Sequence, residues 1–288
     1  MPIRQITIFG TGLIGGSLAL ALKRHGFAGR IIGCDRPLVM ARAKREGVID
    51  LGVMESRQAV QGSDVVVLAT PVGSIIDLIE QVGPLLPPDA LLTDVGSTKA
   101  EVVTRAGQVF GAEAARRFLP GHPMAGKESG GIEQATADLF SGAVWLFTPV
   151  AGVPQQGSPL APIAKEYISW IEKIGARVLY LDPQRHDRLC AWISHLPQMV
   201  ATALAASLQE QFGEDRELQA IGGRALREMT RLASSPYSMW RDIALTNTAN
   251  IEQALLELEQ RLAHLRENLR TRGLEEEFER AHEFQKRC

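Results

Sequence analysis

The amino-acid sequence predicts an α/β fold, in which a doubly wound parallel sheet is followed by an all-helical domain. Through the first half of the chain, short runs rich in Val, Ile and Leu alternate with helical patterns, as in the βαβ units of a parallel sheet. After Pro183 the strand pattern stops and only helical patterns follow. We therefore predict two domains, residues 1–182 and residues 183–288.

Five apolar runs and the helical patterns between them define the predicted sheet. The runs lie at residues 5–9, 30–35, 64–69, 90–95 and 143–148. The helical patterns lie at residues 13–25, 37–46, about 74–83, and 98–109. A loop rich in Pro, Gly and Gln at 150–162 precedes a further helix and strand within 163–182. Because the runs lack polar alternation, they favour strands that are buried on both faces of a parallel sheet.

Two long patterns define the helical domain. Residues 188–212 predict a mostly apolar helix that Pro197 kinks, since a proline inside a helix frees a backbone carbonyl. Residues 251–269 predict a helix with one apolar stripe. The stripe consists of Leu255, Leu258, Leu262, Leu265 and Leu269. Two interpretations are open for it: a helix packed on its own core, or a dimer seam between two helical domains.

The composition indicates a globular enzyme. Hydrophobic residues make up 45% of the 288 residues and charged residues 22%, which is typical of this class. The net charge of −2 favours neither nucleic acid nor an anionic membrane as a partner. The three cysteines, Cys34, Cys190 and Cys288, are far apart, so we expect no disulfide framework and no metal site. We find no secretion signal and no run of about 18 apolar residues, and we therefore expect a cytoplasmic enzyme.

The stretch GTGLIGGSLALAL at residues 10–22 follows the first predicted strand and opens the first helix. Its first three glycines form a G-x-G-x-x-G motif, which permits a tight turn and a close approach of the backbone to a pyrophosphate. The sequence therefore predicts a Rossmann-like dinucleotide-binding domain. The residues predicted to contact the cofactor here are Gly10, Gly12, Leu13, Ile14 and Gly15.

The acidic residue Asp35 ends the second predicted strand, 20 residues after Gly15. A carboxylate at this position binds the ribose hydroxyls of NAD and repels the 2′-phosphate of NADP. Arg36 follows directly and can accept that phosphate, so the residues favour NAD and leave NADP open. Thr70 and Pro71 follow the third of the five runs, at the sheet edge where open α/β sheets bind ligands. We predict that both contact the cofactor.

His122 is the strongest candidate for acid–base chemistry. It follows a short strand pattern and begins the glycine-rich stretch GHPMAGKESGG at 121–131, and no helix or apolar face explains its position. A dehydrogenase needs a group that polarises or deprotonates an alcohol as hydride leaves, and histidine titrates in the right range.

The other five histidines have competing explanations. His25 ends the first helix, and His264 and His282 lie in highly charged helices, so surface roles are favoured for these three. His186 begins a predicted helix, where capping, an interdomain contact and catalysis all fit. His195 lies inside a helix as either a core histidine or a site residue.

Polar residues at two other places complete the candidate site. Ser97 and Thr98 follow the fourth run; one is expected to cap the next helix, and the other to face the nicotinamide or the substrate. Arg231, Ser235 and Trp240 lie near a predicted helix break. An arginine there either binds a substrate carboxylate in a bidentate fashion or forms an interdomain ion pair.

Taken together, these segments resemble the prephenate/arogenate (cyclohexadienyl) dehydrogenase family of tyrosine biosynthesis. In chain order the matching segments are GTGLIGGSLALAL, TPVGSI, LLTDVGSTKAEVV, GHPMAGKESGG, HDRLCAWISHLPQMVA and MTRLASSPYSMWRDI. The resemblance implies a Rossmann-like domain joined to a helical domain that forms a homodimer. It also implies oxidative decarboxylation of prephenate, or of arogenate, with NAD or NADP and without a metal.

The resemblance further implies roles for individual residues. His122 takes the proton of the substrate C4 hydroxyl, Ser97 orients that hydroxyl, and Arg231 binds a substrate carboxylate. The other residues expected around the substrate are Lys127, Glu128, His195, Gln198, Ser235 and Trp240.

The sequence departs from the family pattern at three positions. Gln198 stands where many members have histidine, and it can still hydrogen-bond the substrate side chain. Lys127 and Arg224 add two cations near the expected pocket. These cations either favour a second carboxylate, which leans towards prephenate, or pair with Glu128 and Glu228.

Two other functions also fit a Rossmann-like domain joined to a helical one. A β-hydroxyacid dehydrogenase usually relies on a lysine of the second domain, and residues 183–250 contain no lysine. A non-catalytic NAD-binding protein would not require His122, Ser97 and Arg231 together. Both alternatives are therefore less favoured than a prephenate or arogenate dehydrogenase.

Overall fold

The computed structural model describes residues 2–127, 129–150 and 160–287, and it confirms the predicted α/β fold. The strands of the first sheet are β1 (Gln5–Phe9), β2 (Arg30–Cys34), β3 (Leu51–Gly52), β4 (Val65–Leu68), β5 (Leu91–Asp94) and β6 (Phe118–Leu119). All neighbours pair in parallel, in the order β3–β2–β1–β4–β5–β6. From β1 the chain adds β2 and β3 on one side and then β4, β5 and β6 on the other, so the strand order reverses between β1 and β4. Ligands of open α/β sheets bind at the carboxyl ends of strands at such a switch point.

A second sheet of three strands follows the first along the chain. Its strands are β7 (Gly121–Pro123), β8 (Val144–Phe147) and β9 (Arg177–Tyr180). β7 pairs antiparallel with β8, and β8 pairs in parallel with β9. The prediction that residues 143–148 belong to the parallel sheet is wrong, because an apolar run indicates burial but not the hydrogen-bonding partner. His122 is the middle residue of β7. The expectation that it begins a loop is wrong.

Helices cover both faces of the first sheet. They are α1 (Leu13–Arg24), α2 (Pro37–Arg45), α3 (Ser56–Val60), α4 (Val72–Val82), α5 (Ala100–Phe110), α6 (Ala114–Arg117) and α7 (Pro162–Lys173). One buried cluster contains Leu18 of α1 and Ile168 of α7, and the other contains Ile79 of α4 and Val102 of α5. Since β4 and β5 lie between these clusters, every residue of both strands is buried. The uninterrupted apolar sequence of β4, VVVL, has this cause.

All elements described beyond residue 182 are helical. They are α8 (Pro183–Cys190), α9 (Leu196–Phe212), α10 (Arg216–Ile221), α11 (Arg224–Thr230), α12 (Tyr237–Thr246), α13 (Thr248–Glu267) and α14 (Arg272–Gln285). A π-helical turn, Ala191–His195, joins α8 to α9. The distortion predicted at Pro197 takes this form: the wider turn precedes the proline, and the helix continues through it.

The continuous helical stretch Pro183–Phe212 is long and apolar enough to cross a membrane by length and composition alone. This test uses the mean hydropathy of an 18-residue window and does not require the uninterrupted run of about 18 apolar residues that the sequence lacks. A core helix of a globular protein passes the same test of length and composition. Two residues of this stretch, His186 and Asp187, are fully buried and hydrogen-bonded to the first domain. These contacts hold the start of the stretch against the first domain.

Carboxylates of the helical domain cap two helices of the first domain. Neither α4 nor α5 has a side-chain cap from its own N-cap residue. Asp242 of α12 accepts a hydrogen bond from the Gly73 N–H of α4 at 3.1 Å. Asp187 of α8 accepts from the N–H groups of Lys99 and Ala100, at 2.7 and 2.8 Å, at the start of α5. Because a helix N-terminus favours negative charge, these contacts hold the helical domain against the carboxyl edge of the sheet.

The cap predicted for α5 from its own sequence is wrong. Neither Ser97 nor Thr98 caps this helix, because the carboxylate of Asp187 occupies the position that such a cap would take. The hydroxyl of Thr98 instead shares a hydrogen bond of 2.8 Å with the hydroxyl of Thr246. Thr98 therefore joins the two domains.

The leucine stripe of α13 is only partly covered within one chain. Ile251 and Ala254, near the start of the helix, are buried. Leu262 is 55% exposed, and Leu269, just beyond the helix, is 64% exposed. Packing on the chain's own core therefore accounts only for the first turns of α13.

Candidate active site

The glycine motif forms a turn that has no room for a side chain at two of its glycines. Gly10 has a φ of +88°, and a Cβ on it would lie 2.5 Å from the carbonyl oxygen of Ala69. A Cβ on Gly15 would lie 2.0 Å from the carbonyl oxygen of Gly10. At Gly12, which precedes α1, no atom of the described residues lies within 4 Å of such a Cβ. The free N–H groups at the start of α1 thus adjoin open space that suits a pyrophosphate.

The carboxylate of Asp35 is held beside this turn. It accepts hydrogen bonds from the N–H groups of Thr11 and Arg36, both at 2.7 Å. The side chain of Arg36 is 86% exposed, and its Nε lies 4.0 Å from Asp35. In the first turn of α1, Leu13 is buried and Ile14 is half-buried. The turn and the carboxylate together fit a dinucleotide whose ribose hydroxyls meet Asp35.

The carboxyl end of β4 adds two more of the predicted cofactor residues. Pro71 directly precedes α4. The hydroxyl of Thr70 is buried and has no hydrogen-bond partner among the described residues. Since buried hydroxyls are nearly always hydrogen-bonded, Thr70 suits a polar group of a bound ligand.

The imidazole of His122 is linked to the helical domain by a chain of hydrogen bonds. Its Nδ1 lies 2.9 Å from Nε2 of His186. The Nδ1 of His186 lies 2.8 Å from Oδ1 of Asp187, the carboxylate that caps α5. Three side chains, one on β7 and two on α8, therefore form a continuous His–His–Asp chain across the domain interface.

Burial lowers the pKa of His122 well below its ordinary value of 6.5, and the nearby His186, Lys99 and His195 lower it further. His122 is thus neutral at neutral pH and has a lone pair available to accept a proton. Within the described residues, its Nε2 has no hydrogen-bond partner. The arrangement can therefore perform general base catalysis.

A buried ion pair fixes the backbone just before His122. Lys99 and Asp94 are both fully buried and hydrogen-bonded to each other. The Lys99 ammonium also donates to the carbonyl oxygen of Gly121 at 2.8 Å, and Asp94 accepts from the Gly121 N–H at 3.2 Å. Asp94 ends β5 and Gly121 begins β7, so the pair joins the two sheets at the residue preceding the base.

Three of the predicted substrate residues lie close together in the helical domain. His195 and Trp240 pack edge to face, with their ring centroids 5.9 Å apart, and burial lowers the pKa of His195 to about 4. Gln198, one turn further along the helix, donates to the carbonyl oxygen of Leu232 at 2.9 Å. Its side-chain oxygen is buried without a partner among the described residues, and is the atom left to meet a donor on a ligand.

The remaining predicted residues are half-buried or exposed where the structure describes them. Ser97 and Ser235 are half-buried, and Arg231 is exposed in a short 3₁₀ turn. Lys127 is exposed and donates to the carbonyl oxygen of Gln134 at 2.8 Å. Glu128 lies outside the described residues.

The second added cation, Arg224, pairs with Glu228 at 2.6 Å, and its side chain is 88% exposed. Of the two alternatives considered for it, pairing within α11 accounts for its contacts. Arg224 therefore adds nothing to the argument for a second carboxylate.

Sequence reasoning missed several residues that the structure brings into the site. His186 and Asp187 were not linked to His122, and the ion pair of Lys99 with Asp94 was not foreseen. The sequence signals for the first pair were the His-Asp dipeptide in α8, which a helix start explains equally well, and its place at the head of the segment HDRLCAWISHLPQMVA.

The atoms around His122 also bear on the predicted absence of a metal. His122, His186 and Cys190 each offer a ligand atom within 4.8 Å of the others. The 2.9 Å separation of the two imidazole nitrogens is that of a hydrogen bond. The absence of a metal stays a prediction.

Comparison with protein families covers nearly the whole chain. Residues 18–180 match the nucleotide-binding domain of prephenate dehydrogenase, and residues 182–284 match its dimerization domain. The chain belongs to the prephenate dehydrogenase family. Its family membership accounts for the order of the two domains and for the segments that carry the resemblance.

Several members of the prephenate dehydrogenase family are similar to this chain. Prephenate dehydrogenases of Lactococcus lactis and Bacillus subtilis are 31% and 32% identical, over 85% of this chain and 65% of their own lengths. The chain thus spans about two thirds of these relatives. A cyclohexadienyl dehydrogenase of Zymomonas mobilis is 30% identical over 85% of this chain and 81% of its own length.

Solved structures of the family are similar in fold. The prephenate dehydrogenase of Aquifex aeolicus, in complex with hydroxyphenyl propionate and NAD+, is 31% identical with a TM-score of 0.84. The match covers 100% of this chain and 96% of that one. The arogenate dehydrogenase of Synechocystis is 26% identical with a TM-score of 0.78, over 98% and 99% of the two chains.

Proposed function

We propose that this chain is an NAD-dependent prephenate dehydrogenase, which converts prephenate to 4-hydroxyphenylpyruvate by oxidative decarboxylation in tyrosine biosynthesis. The observation that carries the proposal is the half-buried His122, whose Nδ1 bonds to His186 and whose pKa lies well below 6.5, in a family member whose glycine turn and Asp35 suit a dinucleotide. An arogenate or dual-specificity cyclohexadienyl dehydrogenase is the alternative, because similar proteins carry both names.

In the proposed reaction His122 acts as the base. NAD, when bound, supplies the hydride acceptor. As hydride leaves C4, the C4 hydroxyl proton moves to His122, CO2 departs from C1, and the ring becomes aromatic. The proton then returns to the phenolate oxygen of the product. A neutral imidazole at neutral pH suits this role.

The other site residues bind and orient in this proposal. Ser97 orients the C4 hydroxyl, and the guanidinium of Arg231 binds a substrate carboxylate. The residues that surround the substrate are Lys127, Glu128, His195, Gln198, Ser235 and Trp240. The residues that bind NAD are Gly10, Gly12, Leu13, Ile14, Gly15, Asp35, Arg36, Thr70 and Pro71.

The choice of prephenate rests on the similar proteins rather than on the added cations. The two relatives from Lactococcus lactis and Bacillus subtilis are both prephenate dehydrogenases. Lys127 and Arg224 are exposed and already bonded to Gln134 and Glu228. They therefore give no physical reason to prefer a substrate with a second carboxylate.

A two-by-two assay of prephenate and arogenate with NAD and NADP tests the proposal. We expect the highest kcat/KM for prephenate with NAD. Asp35→Asn removes the charge that repels a 2′-phosphate, so we expect it to lower the preference for NAD over NADP by about tenfold or more, near 1.4 kcal/mol. Asp50→Asn is the matched control, because Asp50 also accepts a backbone N–H, from Ile31 at 2.7 Å. Turnover of neither substrate by the wild-type enzyme would contradict the proposed function.

The proposal includes a homodimer formed through the helical domain. The family's second domain is described as a dimerization domain, and large apolar side chains are exposed on these helices within one chain. Those on α12, on α14, and along or just beyond α13 are Leu245, Leu256, Leu262, Leu269, Phe278 and Phe284. Exposed apolar surface of this kind is typical of an interface.

We expect sedimentation velocity to give twice the 31.4 kDa mass of one chain. Leu262→Glu places a charge in the proposed interface and is expected to shift the protein towards the monomer. Leu38→Glu on α2 is the control, since Leu38 is 86% exposed in the first domain. A monomeric wild-type protein would contradict the dimer. The cytoplasmic location, and the absence of nucleic acid or membrane partners, stay predictions from the sequence.

A further inference from the structure

We propose that His186 and Asp187 are positioning residues that hold His122 in its Nδ1–H tautomer, so that Nε2 is the atom that accepts the substrate proton. This inference rests on the proposed function for its catalytic meaning. Its structural part concerns only the three side chains and is measurable without substrate.

The first step is the state of the Asp187 carboxylate. Its Oδ1 accepts a hydrogen bond from the Lys99 N–H at 2.7 Å, and its Oδ2 accepts from the Ala100 N–H at 2.8 Å. Backbone N–H groups only donate, so both oxygens act as acceptors. An ionised carboxylate at the N-terminus of α5 is also favoured by the helix dipole. The hydrogen atom between Asp187 and His186 therefore belongs to Nδ1 of His186.

The second step passes this constraint to His122. In its neutral form, which the proposal requires, the imidazole of His186 has one N–H and one lone pair, so with Nδ1 protonated its Nε2 is an acceptor. This Nε2 faces Nδ1 of His122 at 2.9 Å. With the opposite tautomer of His122, two lone pairs would face each other at that distance. His122 therefore carries its hydrogen on Nδ1, and the lone pair is on Nε2.

Burial makes this constraint strong. His186 and Asp187 are 0% and 1% exposed, so water does not compete for their hydrogen bonds. The thiol of Cys190 is the other group near Nε2 of His186, at 3.6 Å. Burial raises the pKa of this thiol to about 12, so it stays neutral. A thiol is a weak donor and does not displace the imidazole N–H.

Nitrogen-15 NMR of histidine-labelled enzyme tests the tautomer directly. His122 is assigned by its loss in His122→Asn, and we expect its spectrum to show the Nδ1–H form. His186→Gln keeps this form, because the amide NH2 donates to Asp187 and the amide oxygen faces His122. His186→Phe removes the acceptor, and we expect His122 to change to the Nε2–H form. A wild-type His122 in the Nε2–H form would overturn the inference, whether or not the variants fold.

Steady-state kinetics of the same variants separates positioning from a merely structural role. We expect His186→Phe to lower kcat about 10²-fold, within the range for general base catalysis, with KM for prephenate little changed. His186→Gln is expected to retain kcat within about tenfold of wild type, since it keeps the tautomer. Equal losses in the two variants would overturn the positioning role. If the wild-type enzyme turns over neither prephenate nor arogenate, the proposed function fails while the tautomer result stands.

Discussion

Replacing His122 by asparagine is expected to lower kcat with prephenate by about 10³-fold, within the range that general base catalysis contributes. Asparagine is close in size and still donates a hydrogen bond, but it does not accept a proton at neutral pH. The dinucleotide turn connects β1 to α1, whereas His122 lies on β7 of the second sheet. We therefore expect NAD affinity to be unchanged, measured by quenching of protein fluorescence on titration with NAD.

The pH dependence of the wild-type enzyme belongs to the same prediction. Burial holds the pKa of His122 well below 6.5, and the neighbouring His186, Lys99 and His195 act in the same direction. The base form is thus lost only when the pH falls below this lowered pKa. We expect log kcat/KM, which reports the free enzyme, to stay level as the pH falls to 6.5 and to decline only well below it.

The matched control for His122→Asn is His282→Asn, because His282 is exposed on α14. Unchanged NADH formation by His122→Asn would contradict the assignment of the base. An acid limb at or above pH 6.5 would contradict the lowered pKa, and hence the neutral state, of His122.

The parts of the site that sequence reasoning predicted are those with a local cause. The glycine turn and Asp35 belong to one βαβ unit, where the spacing of the residues follows from the strand and the helix. His122 was found because no local element explained it. Its position in β7 was not predicted, because the partner strand, β8, begins more than 20 residues later. A three-residue strand also has no periodicity.

The missed contacts are those between distant segments. Asp187 lies 88 residues from Lys99, and Asp242 lies 169 residues from Gly73. At the level of sequence, Ser97 and Thr98 were the better caps for α5, because capping preferences consider only neighbouring residues. The structure uses carboxylates of the other domain, and this makes each helix start depend on the domain interface. The same interface holds His186 next to His122.

The buried ion pair of Lys99 with Asp94 is expected to have a large effect on the stability of the protein. Lys99→Met is expected to lower the free energy of unfolding by about 3–5 kcal/mol, because it leaves the carboxylate of Asp94 buried without its countercharge. Both side chains are fully buried. The Gly96 and Gly121 N–H groups still bond to Asp94 at 2.8 and 3.2 Å, but they carry no full charge. Urea unfolding followed by circular dichroism measures the change.

A surface lysine with the same two kinds of contact provides the control. Lys23 donates to the carboxylate of Asp50 at 2.6 Å and to the carbonyl oxygen of Gly47 at 2.9 Å, but its side chain is 28% exposed. Water replaces these contacts in Lys23→Met, so we expect a loss of about 1 kcal/mol or less. Equal losses for Lys99→Met and Lys23→Met would contradict the argument from burial.

The double variant Asp94→Asn/Lys99→Met separates the uncompensated charge from the loss of packing. It removes both charges, and we expect it to be more stable than Lys99→Met alone. If the double variant were less stable than Lys99→Met, the buried carboxylate would not be the source of the loss. Because Lys99 and Asp94 both bond to Gly121, we also expect the variants to lower kcat through a displaced His122. That displacement acts on catalysis even where the protein is fully folded, so kcat measured without urea distinguishes it from instability.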